Sequence, residues 1–485
     1  MVTPLDLVVV GGGITGLGVA RLAARNGLTV AVLERGDLAS GASSASSHML
    51  HGGLRYLEQG HLRLVREALR ERAAVSRMAP DLVRPTRFML PFYRGDRRPP
   101  WMVRIGLRIY DLLAGPRDLS RRSVVRPREA LAIEPGLEAS GLLGAGLYSD
   151  VVMDDARLAV GVARDAAAHG AQVHPWTEVI GARPVGTEWV DVVARDTLGG
   201  GERRFTARAV VNAAGPWADR VRQLLVCSLT PGAPDPPPLM RPSRGAHLVF
   251  PALTRRHGIL LTARSDGRVF FVIPFAGMSL VGTTEVEVAS PPSPGELVPS
   301  FEEIRYLRSE LARALPQPAL TPVLGVMSGI RPLLAAGGIV GDAPREHRVI
   351  VDGPIVTVAG GKYTTFRVMA RDTLARLTDR LGRAGRPFRD PVEPLPRGLG
   401  PGHPIERIAE FAADFEFARR VEDVVRRRTR LWLTPDRGRV AASEISVVLG
   451  RKLGWSDGRR RDELQRYLDT VADEDRLLRR AWEAS

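Results

Sequence analysis

The chain has 485 residues, 44% hydrophobic and 25% charged, a net charge of +15 and one cysteine, Cys227. Such a length holds several folded cores, and the composition is that of a globular protein rather than a disordered or fibrous one. One thiol excludes an intramolecular disulfide and a cysteine-rich metal site, and it points to a reducing compartment.

The chain opens on an apolar run, Leu5 to Val10, which reads as a strand buried on both faces. A glycine turn follows. Ile14 to Asn26 has helical spacing, Gly27 ends it, and Leu28 to Leu33 reads as the next strand. Pro99 to Leu113 carries Trp101, Met102, Ile105, Ile109, Leu112 and Leu113 at helical spacing, with Arg104 and Arg108 between them. Arg94, Arg97, Arg98, Arg117, Arg121 and Arg122 flank this stretch. It reads either as a helix packed on the protein's own core or as a basic amphipathic helix lying in an anionic membrane surface.

Asp155 to His169 reads as a helix capped by Gly170, and Arg204 to Val211 as a strand leading into Asn212-Ala213-Ala214-Gly215. Residues 231–242 and 288–300 are proline-rich loops. Between and after them, His247 to Phe250, Val269 to Ile273 and Ser279 to Val281 read as antiparallel strands, and Phe301 to Leu315 as an amphipathic helix. Val349 to Val351 and Ile355 to Val358 read as paired strands that lead to Gly360-Gly361 and a helix from about Thr364. From residue 396 the chain is helical and Arg-rich. The expected division is a discontinuous nucleotide-binding domain (1–90, 150–220 and 340–395), a substrate domain (91–149 and 221–339) and a helical domain (396–485).

No apolar run reaches ~18 residues, so no transmembrane helix is expected, nor does the N-terminus read as a signal peptide. The scattered histidines show no ligand spacing, so no metal is expected. Arginine supplies nearly all the positive charge; Lys362 and Lys452 are the only lysines. No basic stretch is interleaved with aromatics, and nucleic acid is not expected as a partner.

Gly11-Gly12-Gly13-Ile14-Thr15-Gly16 matches GxGxxG between a strand and a helix, where glycines admit a pyrophosphate and the helix N-terminus faces it. Glu34 closes the second strand, ~20 residues on, where an acid binds a ribose hydroxyl. This motif alone does not separate FAD from NAD. The stretch from Ser43 to Tyr56 is dense in hydroxyls and glycines, and glycine turns recur at Gly215 and at Gly360-Gly361. Three backbone approaches to one ligand suggest a long cofactor held along its length.

The combination GGGITGLG, SSASSHMLHGGLRYLE, MAPDLVRPTRFMLPF, VMDDARL, VNAAGPWAD, VGTTEVE, SGIRPL and GGKYTTFRVMA resembles FAD-dependent glycerol-3-phosphate dehydrogenase, in the D-amino-acid oxidase/glycine oxidase superfamily. The likeness runs through most of residues 5–375; the helical end resembles the family's more loosely and looks shortened. It implies an α/β fold, with a Rossmann-like FAD-binding domain of the D-amino-acid oxidase/glutathione reductase type, an interleaved substrate domain on a mixed or antiparallel sheet, and a C-terminal helical domain. It implies FAD with its adenosine end at Gly11, Gly13, Gly16 and Glu34. Further contacts would come from Ser44, Ser46, Ser47, Leu54, Gly215 and Thr364, and the isoalloxazine would sit near His51, Gly52, Gly53, Gly361 and Lys362.

The implied reaction is oxidation of sn-glycerol 3-phosphate to dihydroxyacetone phosphate, with electrons passed to a quinone. Arg55, Tyr56, His247, Arg331, Arg345 and Lys362 are placed around the substrate. Arginine forks match phosphate oxygens, which suits Arg331 and Arg345, with Tyr56 as a hydroxyl partner. His247 is the candidate base, since imidazole titrates near working pH; where relatives often carry lysine and serine around it, this chain has Arg244 and Ala246. Lys362 stands apart in a chain that uses arginine almost everywhere, which suggests a need for a compact ammonium beside the flavin. The alternatives are an oxidase that uses O₂ with the same substrate and a flavin-binding protein without turnover. The expected location is cytoplasmic, peripheral on the inner face of the cell membrane if the acceptor is a quinone. A homodimer is compatible with the sequence but not specified by it.

Overall fold

The computed structural model describes residues 4–53, 57, 60–96, 99–115, 122–293, 297–335 and 346–483. The first sheet grows from the opening strand, Leu5–Val10, whose residues are almost all buried. Val30–Leu33 and Glu202–Asn212 lie on either side of it, both parallel, and Ile355–Gly360 runs parallel outside Glu202–Asn212. Gln172–His174 and His347–Asp352 form the edges. Apolar residues on both faces are what a parallel sheet covered by helices requires. Helices Ile14–Arg25, Asp155–Ala168 and Phe366–Ala375 cover one face. Small residues draw the first and last together: a Cβ on Gly18 would sit 2.7 Å from the Phe366 ring. The second of these helices is capped by Asp154, which accepts from the Arg157 amide at 3.1 Å. The other face packs on an antiparallel arm, Thr177–Val185 and Trp189–Asp196, and on helix Ala218–Leu229.

The second sheet has ten strands among the described residues and is largely antiparallel. Val83–Tyr93 pairs along its length with Leu142–Met153, while Ser243–Pro251 pairs with both Met278–Gly282 and Gly325–Arg331. Helix Phe301–Ala314, started by a capping box between Ser300 and Glu303, packs its apolar side on this sheet. Val83–Tyr93 runs straight across the boundary placed at residue 90 by the sequence, and Leu142–Met153 across the one near 150. These two strands belong wholly to the second sheet, so the crossings between the sheets fall before 83 and after 153.

Helices Ile405–Phe415, Arg439–Leu453 and Asp457–Glu483 make up the C-terminal part, joined by a π-helical turn, Asp423–Arg428. That turn is clamped to the nucleotide-binding half. Asp37, fully buried just past the second strand, is bound by Arg427 and by Arg428, whose Nη2 lies 2.7 Å from Oδ1. Arg157 holds Glu416 in a fork at 2.6 and 2.8 Å, and Arg430 reaches Asp154 at 2.7 Å.

The arginine bias is thus partly internal. Arg21 is buried in the first helix and bonds Asp165 at 2.7 Å and Asp390 at 3.2 Å. Asp390 also meets Arg367 at 2.8 Å and Arg371 at 3.0 Å. Each carboxylate therefore neutralises more than one guanidinium away from water. Asp390→Ala leaves Arg21 and Arg367 short of a counter-charge in the interior. We expect it to destabilise the fold by about 3–5 kcal/mol, read as a lower urea midpoint, whereas Asp81→Ala, whose partner Arg397 is mostly exposed, should leave the midpoint nearly unchanged.

Candidate functional site

The strands of the first sheet end at one cavity of about 1060 Å³, bounded by Val10, Leu33, Ala213 and Gly360. This is where parallel sheets place ligands. At the turn after the first strand, Gly11 takes φ +115°, and a Cβ there would fall 2.5 Å from the Ala213 carbonyl oxygen. Helix Ile14–Arg25 begins at Gly13 without a side-chain cap. Gly13, Ile14 and Thr15 line the cavity, so the helix end faces it with backbone amides and the positive pole of its dipole. Gly16 does not line the cavity; it lets the helix lie on the turn, since a Cβ there would be 2.0 Å from the Gly11 oxygen.

Glu34 lines the cavity and is itself fixed. Its two oxygens accept from the amides of Gly12 at 2.7 Å and Gly36 at 2.9 Å. Burial pushes its pKa up, and those two amides pull against that.

The serine segment forms the floor. Ser43 accepts from the Ile14 amide at 2.9 Å. Ser46 donates to Asp155 at 2.6 Å, and Ser47 is 3.0 Å from Nε2 of His247. Met49 and Leu50 pair with Val152 and Val151 of the second sheet. Ser46, Ser47 and His51 line the cavity. Ser44, Gly52 and Gly53 do not. Ser44 lies in a short 3-10 turn, Ala42–Ser44. The Gly52 amide donates to the Tyr110 hydroxyl at 3.0 Å, and a Cβ there would strike Leu69 and Tyr110 at 2.4 Å. Gly53 turns the chain at φ +81°. Leu54, Arg55, Tyr56 and Arg345 lie outside the described residues.

Two strands of the second sheet close the opposite wall. In their register Gly245 opposes Gly329, and His247 opposes Met327. Arg331 ends the second of these strands and donates from Nη2 to the Thr283 hydroxyl at 2.6 Å and to the Thr284 carbonyl at 3.0 Å. Gly245 makes room for it, because a Cβ there would be 2.3 Å from that nitrogen. Gly329 lets the strand press onto the floor, since a Cβ there would be 2.7 Å from the Ala45 side chain. His247 is buried, and its pKa is pushed down to about 3, first by burial and then by the positive charge of His48 and Arg331. Arg244 turns away to Glu303 at 2.8 Å, and the Ala246 amide donates to the Thr284 hydroxyl at 2.8 Å.

Gly360 and Gly361, at φ +76° and +90°, bring Lys362 and Thr364 to the same cavity, and Gly215 reaches it from the third turn. The cavity also includes residues that the sequence reading left unassigned: Thr177 to Ile180, Trp217 and Arg220 at the end beyond Glu34, and Gly245 and Thr283 beside Arg331. For Trp217 and Thr283 the motifs VNAAGPWAD and VGTTEVE were the available signal; nothing in composition or periodicity marked the others.

The donor set fits FAD. An uncapped helix end and a fixed acid sit at one end, a hydroxyl-rich floor lies along the middle, His247 and Arg331 sit at the other end, and Lys362 lines the same continuous cavity. Residues 6–367 match the model of the family described as FAD dependent oxidoreductase. The chain is 33% identical to glycerol-3-phosphate dehydrogenase 2 of Mycobacterium tuberculosis, covering 97% of this chain and 88% of that protein. It is 32% identical to the mitochondrial glycerol-3-phosphate dehydrogenase of Rattus norvegicus, covering 95% and 72%. Its fold matches that of the glycerol-3-phosphate dehydrogenase from Bacillus halodurans, solved with FAD, with a TM-score of 0.74 at 22% identity over 97% of this chain and 95% of that one. The chain belongs to the FAD-dependent oxidoreductases and, within them, to the glycerol-3-phosphate dehydrogenases.

Proposed function

We propose that His247, Arg331 and Lys362 carry out the oxidation of sn-glycerol 3-phosphate to dihydroxyacetone phosphate, and that a membrane quinone takes the electrons. The observation that carries this reading is that all three side chains line the same cavity as Gly11, Gly13 and Glu34. Bound FAD supplies the hydride acceptor. Arg331 presents a guanidinium whose orientation is set by Thr283 and Thr284, which suits a phosphate dianion or its neighbouring oxygen. His247 stays neutral at working pH and so takes the proton of the C2 hydroxyl. The phosphate brought in by Arg331 offsets the positive field on the ring and moves it back toward its ordinary basicity. Lys362 places a compact charge where negative charge develops at the reacting edge.

The membrane reading rests on helix Pro100–Ala114. Val103, Leu107, Tyr110 and Ala114 face the core. Trp101 and Leu112 are 64% and 81% exposed, and Met102, Ile105 and Ile109 are exposed beside them. Arg104 and Arg108 lie on the solvent side as well. Among the described residues, nothing covers this second apolar face of the helix, which is bordered by positive charge, as an anionic bilayer surface requires. No described helix is long and apolar enough to cross a membrane, so attachment is at the surface, and the proposed place is the cytoplasmic face.

Anaerobic addition of sn-glycerol 3-phosphate to the holoenzyme should bleach the flavin absorbance, and a quinone analogue should restore it. No bleaching rejects the substrate; rapid recovery in air with peroxide formation moves the acceptor to O₂. Arg331→Ala and Lys362→Ala should keep FAD and lower the rate of flavin reduction by about 100- to 1000-fold. Gly245→Ala should act on the same step by displacing Arg331, raising KM while FAD stays bound. At low salt the protein should sediment with vesicles containing anionic lipid, and Trp101→Ser/Leu112→Ser should abolish this with flavin reduction intact.

A further inference from the structure

His48 is used by none of the chemistry above, yet it is built in with care. It is buried, and its backbone sits at φ +50°, a conformation that costs a side-chain-bearing residue energy unless its surroundings hold it there. Nδ1 is 3.2 Å from Oδ1 of Asp155, a carboxylate with no exposure, whose other oxygen takes the Ser46 hydroxyl. The ring stacks on Phe275, centroids 4.2 Å apart and 24° between planes. On Phe275 lies the guanidinium of Arg430, 5.2 Å from its centre, and Arg430 is tied to Asp154 at 2.7 Å. Adjacent carboxylates, Asp154 and Asp155, thus fix both ends of a stack drawn from the C-terminal part, the second sheet and the floor. The next floor residue, Ser47, is the one hydrogen-bonded to His247.

We propose that His48 is a positioning residue for the reaction: a buried cation, paired with Asp155, whose charge adds to burial in lowering the proton affinity of the neighbouring His247 and so sets the pH below which that base is lost. This rests on the assignment of His247 as the base. Burial opposes the charge on His48, but the Asp155 carboxylate, aided by Asp154, outweighs it and raises the ring's pKa. The charged or titratable groups facing His247 are His48 and Arg331, with Lys362 and His51 lining the same cavity; those facing His48 are Asp155, Asp154, His247 and, across Phe275, Arg430. A group whose pKa is depressed in the folded state stays neutral until the pH falls through the depressed value. Removing the cation from position 48 therefore moves His247 up, and its neutral form is lost at a higher pH.

The test uses holoenzyme with ¹³C-labelled histidine, with the His247 signal assigned by its loss in His247→Gln. In His48→Gln the His247 titration midpoint should rise by about one pH unit, and the acid limb of the flavin-reduction rate should rise with it. At alkaline pH the rate should approach that of the unaltered enzyme. His48→Lys restores a cation and should reverse both shifts. A midpoint unmoved by His48→Gln overturns the proposal, as does a rate lowered equally at every pH. If the midpoint rises and the acid limb does not, the charge coupling stands and the assignment of His247 as base falls. Should His48→Gln not load FAD, Asp155→Asn in the same experiment should lower the His48 midpoint and raise that of His247; unchanged midpoints there reject the idea.

Discussion

One stretch of backbone, from Ser43 to Gly53, has to belong to both halves of the molecule at once. Its first residue, Ser43, accepts from the Ile14 amide at the start of the nucleotide-binding helix. Its middle joins the second sheet, through Met49 and Leu50. Its last part is fixed by the Tyr110 hydroxyl, which donates in turn to Asp150. A floor held at three points, on two helices and the second sheet, cannot shift without breaking one of them. That is how side chains from separate strands, His247 and Arg331, keep a fixed distance from Gly13 and Glu34 at the other end of the same cavity. Effective positioning of this kind is a large part of what an active site contributes to rate.

Glycine is the means by which the walls meet the floor, and each instance has its own cause. At Gly11 the reason is both a left-handed φ and the nearness of Ala213. At Gly329 it is the approach of a strand to Ala45, and at Gly245 it is the space taken by the Arg331 guanidinium. The motifs around these residues are short because the constraint is local: a backbone atom on one strand meets a side chain on the next.

Much of this was readable in the sequence where cause and effect lie close together in the chain. The strand, turn and helix of residues 5–25, the acid at Glu34 and the lysine after Gly360-Gly361 announce themselves by spacing. Gly16 and Gly52 were read as cofactor contacts because the motif names them, but their space is taken by Gly11 and by Leu69 and Tyr110. Periodicity gives a helix over Pro99 to Leu113 and leaves open whether the face of Trp101, Met102, Ile105, Ile109 and Leu112 packs on the core; those residues are exposed, and Val103, Leu107 and Tyr110 pack inward instead. The clamp at Asp37 was not readable at all. Its partner Arg428 lies 391 residues away, in a stretch where arginine is so common that no single one stands out.

That clamp gives the C-terminal helices a place in the chemistry without a residue in the cavity. Asp37 follows Glu34 on the turn whose Gly36 amide holds the Glu34 carboxylate, so Arg427 and Arg428 fix the loop that orients the acid. Arg430, two residues on, lies over Phe275 and so backs the His48 ring from the other side. Two arginines of the π-helical turn, and Arg430 just beyond it, thus steady both ends of the cofactor cavity. Guanidinium groups suit the task better than ammonium groups, since a planar fork can satisfy a buried carboxylate in two directions while stacking on an aromatic face. An arginine-rich tail is, in this fold, an internal fastening as much as a charged surface.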